Sequence, residues 1–172
     1  MVGLRMNDPL ELLLRIAKEK TKIGKWENQP LQLIKVMANS TKGDLGEIFI
    51  AEYSKALGFD VADKVSRLGD YDVKINDKTF EVKMATEDVT GHFQFNHIRY
   101  DYTYDWLLCL GISPAAILFD IWSKADLVTG KAGALVSMGR GQNSSFKLTK
   151  SKKSLYPINE FKSKIEKLIV ER

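Results

Sequence analysis

With 172 residues, 44% of them hydrophobic and 28% charged, the chain can bury one globular core and is too apolar to be disordered or fibrous. Its net charge of +4 and pI of about 9.0 permit a polyanionic partner without requiring one. A lone cysteine, Cys109, excludes an intrachain disulfide and a cysteine-rich zinc site.

The opening residues MVGLRMNDPLELLLRIAKEK carry Asp8, Glu11 and Arg15 within their apolar pattern. They form neither a signal-peptide core nor a membrane span, so the expectation is a reduced, cytoplasmic protein with no membrane attachment. Asp8-Pro9-Leu10-Glu11 reads as a helix start, with Leu10, Leu13, Leu14 and Ala17 on one face and Gly24 as its stop. A shorter helical segment follows Pro30, through Leu31, Ile34 and Met37. The third helix runs from Lys42 to Leu57, with Phe49, Ile50, Tyr53 and Leu57 at helical spacing and Gly58 closing it.

Beyond Gly58 the period changes to two. Phe59 to Val65, Tyr71 to Ile75 and Thr79 to Met84 alternate as strands do. Phe93 to Tyr104 reads as a helix with aromatic anchors. WLLCLGI (106–112) and AAILFDIW (115–122), joined at Ser113-Pro114, are short apolar runs typical of buried central strands. From Ser123 to Ile158 basic residues outnumber acids seven to one, and GRGQNSSFKLTKSKKS reads as a loop. A terminal helix follows, with Asn159 as its expected cap and Phe161, Ile165, Leu168 and Ile169 facing inward. This order of elements predicts one mixed α/β domain with a sheet as its core.

The stretch GDYDVKINDKTFEVK (69–83) carries the chemistry. Alternation places Asp70, Asp72 and Lys74 opposite the apolar side chains of the first strand, and Glu81 and Lys83 opposite Phe80 and Val82 in the second. A turn at Asn76-Asp77 sets Asp72 across from Glu81, whereas a turn at Asp77-Lys78 sets Asp72 across from Lys83. Both registers keep the carboxylates and Lys83 on one side. Neighbouring carboxylates repel unless a cation joins them, and hard oxygen ligands with open positions suit Mg²⁺. A lysine beside such a metal orients or deprotonates a water, or stabilises charge on a phosphate oxygen. The plain structural reading of the same residues is a solvated hairpin face on which Lys83 neutralises Glu81.

Asp72, eight intervening residues and then Glu81-Val82-Lys83 resemble the motif of the PD-(D/E)XK nuclease superfamily, the restriction-endonuclease-like enzymes, with Tyr71 where the family name has proline. Thr41 to Phe59 is similar to that family's first core helix, whose acid after a glycine faces the metal. Glu47 takes that place, with Glu52 or Asp44 as alternatives. The resemblance covers about Thr41 to Trp122. It implies an α/β fold with a mixed central β-sheet flanked by helices in a single nuclease domain over 1–172. Within it, 1–40 would form N-terminal helices, 41–122 the catalytic core, and 123–172 a basic segment and C-terminal helix.

The resemblance further implies a Mg²⁺-dependent DNA endonuclease, with Mn²⁺ able to substitute. Asp72, Glu81, the Val82 carbonyl and Glu47 would hold metal, Lys83 would position water, and Asp70 is the alternative to Asp72. Gln94, Asn96, His97 and Arg99 would lie on the DNA side. Arg140, on a glycine-flanked arm, and Lys150, Lys152 and Lys153 are candidates for DNA contacts. The expected partner is double-stranded DNA, cut by a homodimer of a Type II restriction enzyme, with a cognate DNA methyltransferase acting on the same site. A structure-selective repair or Holliday-junction nuclease and a catalytically silent DNA-binding module are the alternatives.

Overall fold

The computed structural model describes residues 8–21, 23–62, 70–139 and 144–171. Helix α1 (Pro9–Thr21) begins where expected, because Asp8 Oδ1 accepts the Leu10 and Glu11 amide hydrogens at 2.8 and 3.4 Å. None of its residues is buried. A 3₁₀ turn at Gly24–Trp26 and the short helix α2 (Gln32–Val36) follow. Helix α3 (Asn39–Ala56) starts three residues before the expected Lys42 and ends ahead of Gly58, which takes φ +92°.

Six strands form a mixed sheet in the order β1-β2-β3-β5-β6-β9. They are β1 (Val61–Ala62), β2 (Val73–Ile75), β3 (Lys78–Thr86), β5 (Trp106–Ser113), β6 (Ala116–Ser123) and β9 (Tyr156–Pro157). β3 and β5 run parallel, Phe80 beside Trp106 through Thr86 beside Ile112, and every other neighbouring pair is antiparallel. After Trp106 every residue of β5 is buried, as its continuous apolar run requires of a strand covered on both faces. On one face Leu108 and Leu110 join Ile50 of α3, Phe80, Val82, Phe119, and Phe161 and Ile165 of α5 (Phe161–Val170). On the other, Leu107 and Cys109 join Phe93, Phe95, Trp122 and Leu148. The fold is therefore mixed α/β, a central mixed sheet flanked by helices.

Three expectations are corrected. Phe93 to Tyr104 is not helical: β4 (His92–Ile98) occupies its first part. Phe93, Phe95 and Ile98 are buried while Gln94, Asn96 and His97 are exposed, and a bulge between Phe95 and Ile98 with His97 at φ +59° breaks the strict alternation. The basic tail is not a plain loop either. It holds α4 (Lys124–Thr129), β7 (Leu135–Ser137) and β8 (Phe146–Ser151), and β4-β8-β7 form a second, antiparallel sheet over the Leu107/Cys109 face. Its strands went unread because β8 alternates Phe146 and Leu148 with lysines and a threonine, and its partners are far away in the chain. Asn159 does not cap α5; it lies within a 3₁₀ turn (Ile158–Glu160) that runs straight into the helix. Among the described residues no helix is long and apolar enough to cross a membrane.

Candidate functional site

The β2–β3 hairpin adopts the first of the two registers open from sequence. Ile75 pairs with Lys78 and Val73 with Phe80, leaving Asn76-Asp77 as the turn, with Asn76 at φ +52°. The turn is anchored to the chain before β1: the Asn76 amide donates to the Asp60 carbonyl at 2.6 Å, and Asn76 Oδ1 accepts from the Asp60 amide at 3.0 Å. β2 covers only Lys78 to Phe80 of the nine-residue β3. Where the ladder ends, the Asp72 amide still donates to the Phe80 carbonyl at 2.9 Å, and Asp72 Oδ2 accepts the Val82 amide hydrogen at 2.8 Å. A carboxylate thus replaces the next strand rung, which brings Asp72 to the edge of β3 beside Glu81.

Glu81 is 3% exposed, and Lys83 Nζ lies 2.6 Å from its Oε1. Burial pushes the Glu81 carboxyl above the usual range; Lys83 opposes this, and the neighbouring Asp72 carboxyl, within hydrogen-bonding reach, adds to it. Among the described residues two acids and one ammonium therefore share this corner, in which an added cation would offset the cost of charging buried Glu81. Beneath it lies buried Tyr104, whose phenol is pushed up by burial first and by the Glu81 charge second, and whose hydroxyl donates to the Arg99 carbonyl at 2.6 Å.

Beyond Val82 the edge of β3 opens into a cleft of about 370 Å³. Val82 to Thr86 form its floor, Asn39, Lys42, Gly43 and Glu47 of α3 one wall, and Gln94, Asn96 and His97 of β4 the other. Of the three acids open in α3, Glu47 is the one that lines this cleft. Asp44 is exposed, and Glu52 pairs with Lys55 at 3.0 Å on an exposed face. Gly46 explains the placement: a Cβ there would stand 3.0 Å from Met84 Cβ, so α3 rests directly on β3.

Among the described residues no three His, Cys, Asp or Glu side chains converge into a ready-made metal cage. The donor set fits a weaker demand: two adjoining carboxylates, Asp72 and Glu81, next to the Val82 main chain, with Glu47 on the α3 wall of the cleft that Val82 also lines. Mg²⁺, which keeps several waters and takes one or two carboxylates, suits such an open set.

The expected DNA contacts divide. Gln94, Asn96 and His97 line the cleft. Arg99 forks onto Asp101 at 2.8 and 2.5 Å and stacks on Tyr102, 5.1 Å from the ring centre. Lys150 donates to the Ala132 carbonyl at 2.7 Å and lies over Trp122, so its ammonium is engaged in the second sheet. Lys152 Nζ is 3.7 Å from Glu87, Lys153 is exposed, and Arg140 lies outside the described residues. Lys42 is a cleft residue missed from the sequence. Nothing in its local pattern marks it; only the docking of α3 on β3 brings it there.

No family model matches the chain, and a search of curated proteins finds no match. Among solved structures, a bacterial homing endonuclease aligns over 79% of this chain and 99% of its own, at 13% identity and a TM-score of 0.49. That likeness is too distant to bear on fold or function.

Proposed function

We propose that the chain is a Mg²⁺-dependent DNA endonuclease of the PD-(D/E)XK kind, with a sequence-specific Type II restriction activity as its particular role. The observation that carries this reading is the joining of Asp72, Glu81 and Lys83 on the middle of β3, next to the cleft that Val82 and Lys83 line. Asp72 serves β3 by accepting the Val82 amide hydrogen, but burying Glu81 against a second carboxyl is unfavourable unless a cation joins the two. Asp72, Glu81, the Val82 carbonyl and Glu47 are the groups that would hold the metal. When bound, it supplies Lewis-acid polarisation of a phosphodiester and a more acidic water. Lys83, held by Glu81, donates to that water or to the phosphate oxygen on which charge develops. Gln94 and Asn96 project from the opposite wall with side-chain amides able to read base edges, adenine above all.

One subunit offers one such centre, so cutting both strands calls for two copies related by a twofold axis. A methyltransferase of matching specificity belongs with the restriction role.

The test is incubation of methylation-free plasmid with the protein and Mg²⁺, alongside Lys83→Ala and a chelator control. Discrete fragments from the wild type alone are expected, with Mn²⁺ substituting for Mg²⁺. Fragments that persist in Lys83→Ala would sink the assigned site. Nicks confined to branched DNA would replace the restriction role by a junction-resolving one, and no cleavage of any DNA would leave a binding module.

A further inference from the structure

Four lysines from separate parts of the chain gather where α3 begins. Lys25, in the 3₁₀ turn after α1, donates to Glu87 Oε1 at 2.6 Å and to the Asp88 carbonyl at 2.7 Å. Lys35 of α2 donates to the Glu87 carbonyl at 3.3 Å and lies over the Trp26 ring at 5.6 Å. Lys152 Nζ stands 3.7 Å from Glu87 Oε2. Lys42, in the first turn of α3, donates to the Lys35 carbonyl at 3.2 Å and lines the cleft.

Glu87 explains three of the four. It is 6% exposed and binds the 23–36 segment and the end of β8 to the central sheet. Asp88 beside it uses its carboxylate to accept the Thr90 and His92 amide hydrogens. Lys42 stands outside this Glu87 group: its ammonium donates to the Lys35 main-chain carbonyl at 3.2 Å. Among the described residues no carboxylate pairs with it, and the influences on its half-buried ammonium, burial and then repulsion from Lys35, both lower its pKa. A desolvated cation facing a like charge is relieved by an anion. Lys42 opens on the cleft that Glu47, Lys83 and Asp88 also line, the Asp88 carboxylate being taken up by the Thr90 and His92 amides.

We propose that Lys42, backed by Lys35, is a seat for a backbone phosphate of DNA lying in this cleft, on the strand flanking the bond to be cut. The assignment rests on the nuclease reading for its substrate. Lys42 precedes Glu47 by five residues, about 7.5 Å along a helix axis, which is about two nucleotides along a DNA strand. A phosphate contact there sets the register of the strand and adds to affinity without reading sequence.

The experiment measures binding of a labelled duplex to the full chain in a Lys83→Ala background with Mg²⁺, over a range of salt. Lys42→Gln is compared with Lys42→Arg and with Lys164→Gln, a charge-matched loss on α5 whose lysine lies over Tyr156 of β9, at the far edge of the sheet. Lys42→Gln is expected to weaken binding about 3- to 10-fold near 0.1 M salt and to lower the slope of log K against log salt by about one. Lys42→Arg, which keeps the charge, should hold both values, and Lys164→Gln should change neither. Unaltered binding in Lys42→Gln, an equal loss in Lys164→Gln, or no DNA binding by the parent would overturn the seat. The two readings fail separately. Lys83-dependent cleavage with a neutral Lys42→Gln removes the seat alone, whereas Lys42-dependent binding without cleavage by the wild type removes the nuclease reading alone.

Discussion

Two buried glutamates on the same strand-and-turn segment behave oppositely, and the difference is their company. Glu87 meets Lys25 and Lys152, and although burial alone would raise its pKa, these partners carry the carboxyl below its usual value. A carboxylate depressed in the folded state contributes stability above its unfolded pKa and loses that contribution as pH falls through the folded value. Glu87→Gln should therefore cost about 2 kcal/mol at pH 7 in urea unfolding, since a buried ion pair is broken but its lysines are part-exposed. The difference from wild type should shrink as pH falls below the ordinary carboxylate range, through the depressed folded-state pKa. Glu81 has one lysine and an adjoining acid, and burial wins. On the proposed reading its stabilising partner is Mg²⁺, and a concentration 100-fold above its Kd should add about 2.7 kcal/mol to wild-type stability by mass action. Glu81→Gln should abolish that gain. A Mg²⁺-induced rise in Tm surviving in Glu81→Gln would remove Glu81 from the metal site.

At the scale of elements, the site is an agreement between one helix and one strand. A glycine inside a helix ordinarily costs about 0.5–1 kcal/mol relative to alanine. At Gly46 the missing Cβ is what lets α3 approach β3, because the atom it would strike, Met84 Cβ, is fixed to the strand backbone and cannot swing aside. Gly46→Ala should push α3 outward by a few tenths of an ångström and cost about 1 kcal/mol net. Cleavage should fall more than stability does, because Glu47 and Lys42 move with the helix; an alanine variant with full kcat would show that the approach does not matter. On the other wall the bulge at Asn96-His97 turns consecutive polar residues toward the cleft. Strict alternation would have hidden one of them.

At the scale of the molecule, β5 is the shared part. Its alternate residues feed both clusters, Leu108 and Leu110 under α3 and α5, Leu107 and Cys109 under the second sheet. Neither side can lose its core without exposing the other face of the same strand. Phe95→Ala and Leu108→Ala, both fully buried positions, should each lower stability by about 3 kcal/mol or more. In both variants fluorescence and circular dichroism should report one coincident unfolding transition. Separate transitions would mean that the second sheet folds as its own unit.

What the sequence determined by itself was everything set by short-range periodicity and local chemistry. Asp8 caps α1, Gly58 closes α3, β5 and β6 announce themselves as apolar runs, and the period of two puts Asp72, Glu81 and Lys83 on one side in either register. Tertiary structure alone decided which register holds, which of Asp44, Glu47 and Glu52 faces the cleft, and that 92–98 is a strand. It also decided that Lys150, bonded to the Ala132 carbonyl, lies in the second sheet, while Lys42, bonded to the Lys35 carbonyl, lines the cleft. The division follows from range. A dihedral preference or a cap acts over a few residues and is written beside the residues that use it. A wall of the cleft is made by α3 and β4, about forty residues apart, and only the burial of their apolar faces against the central sheet brings those residues together.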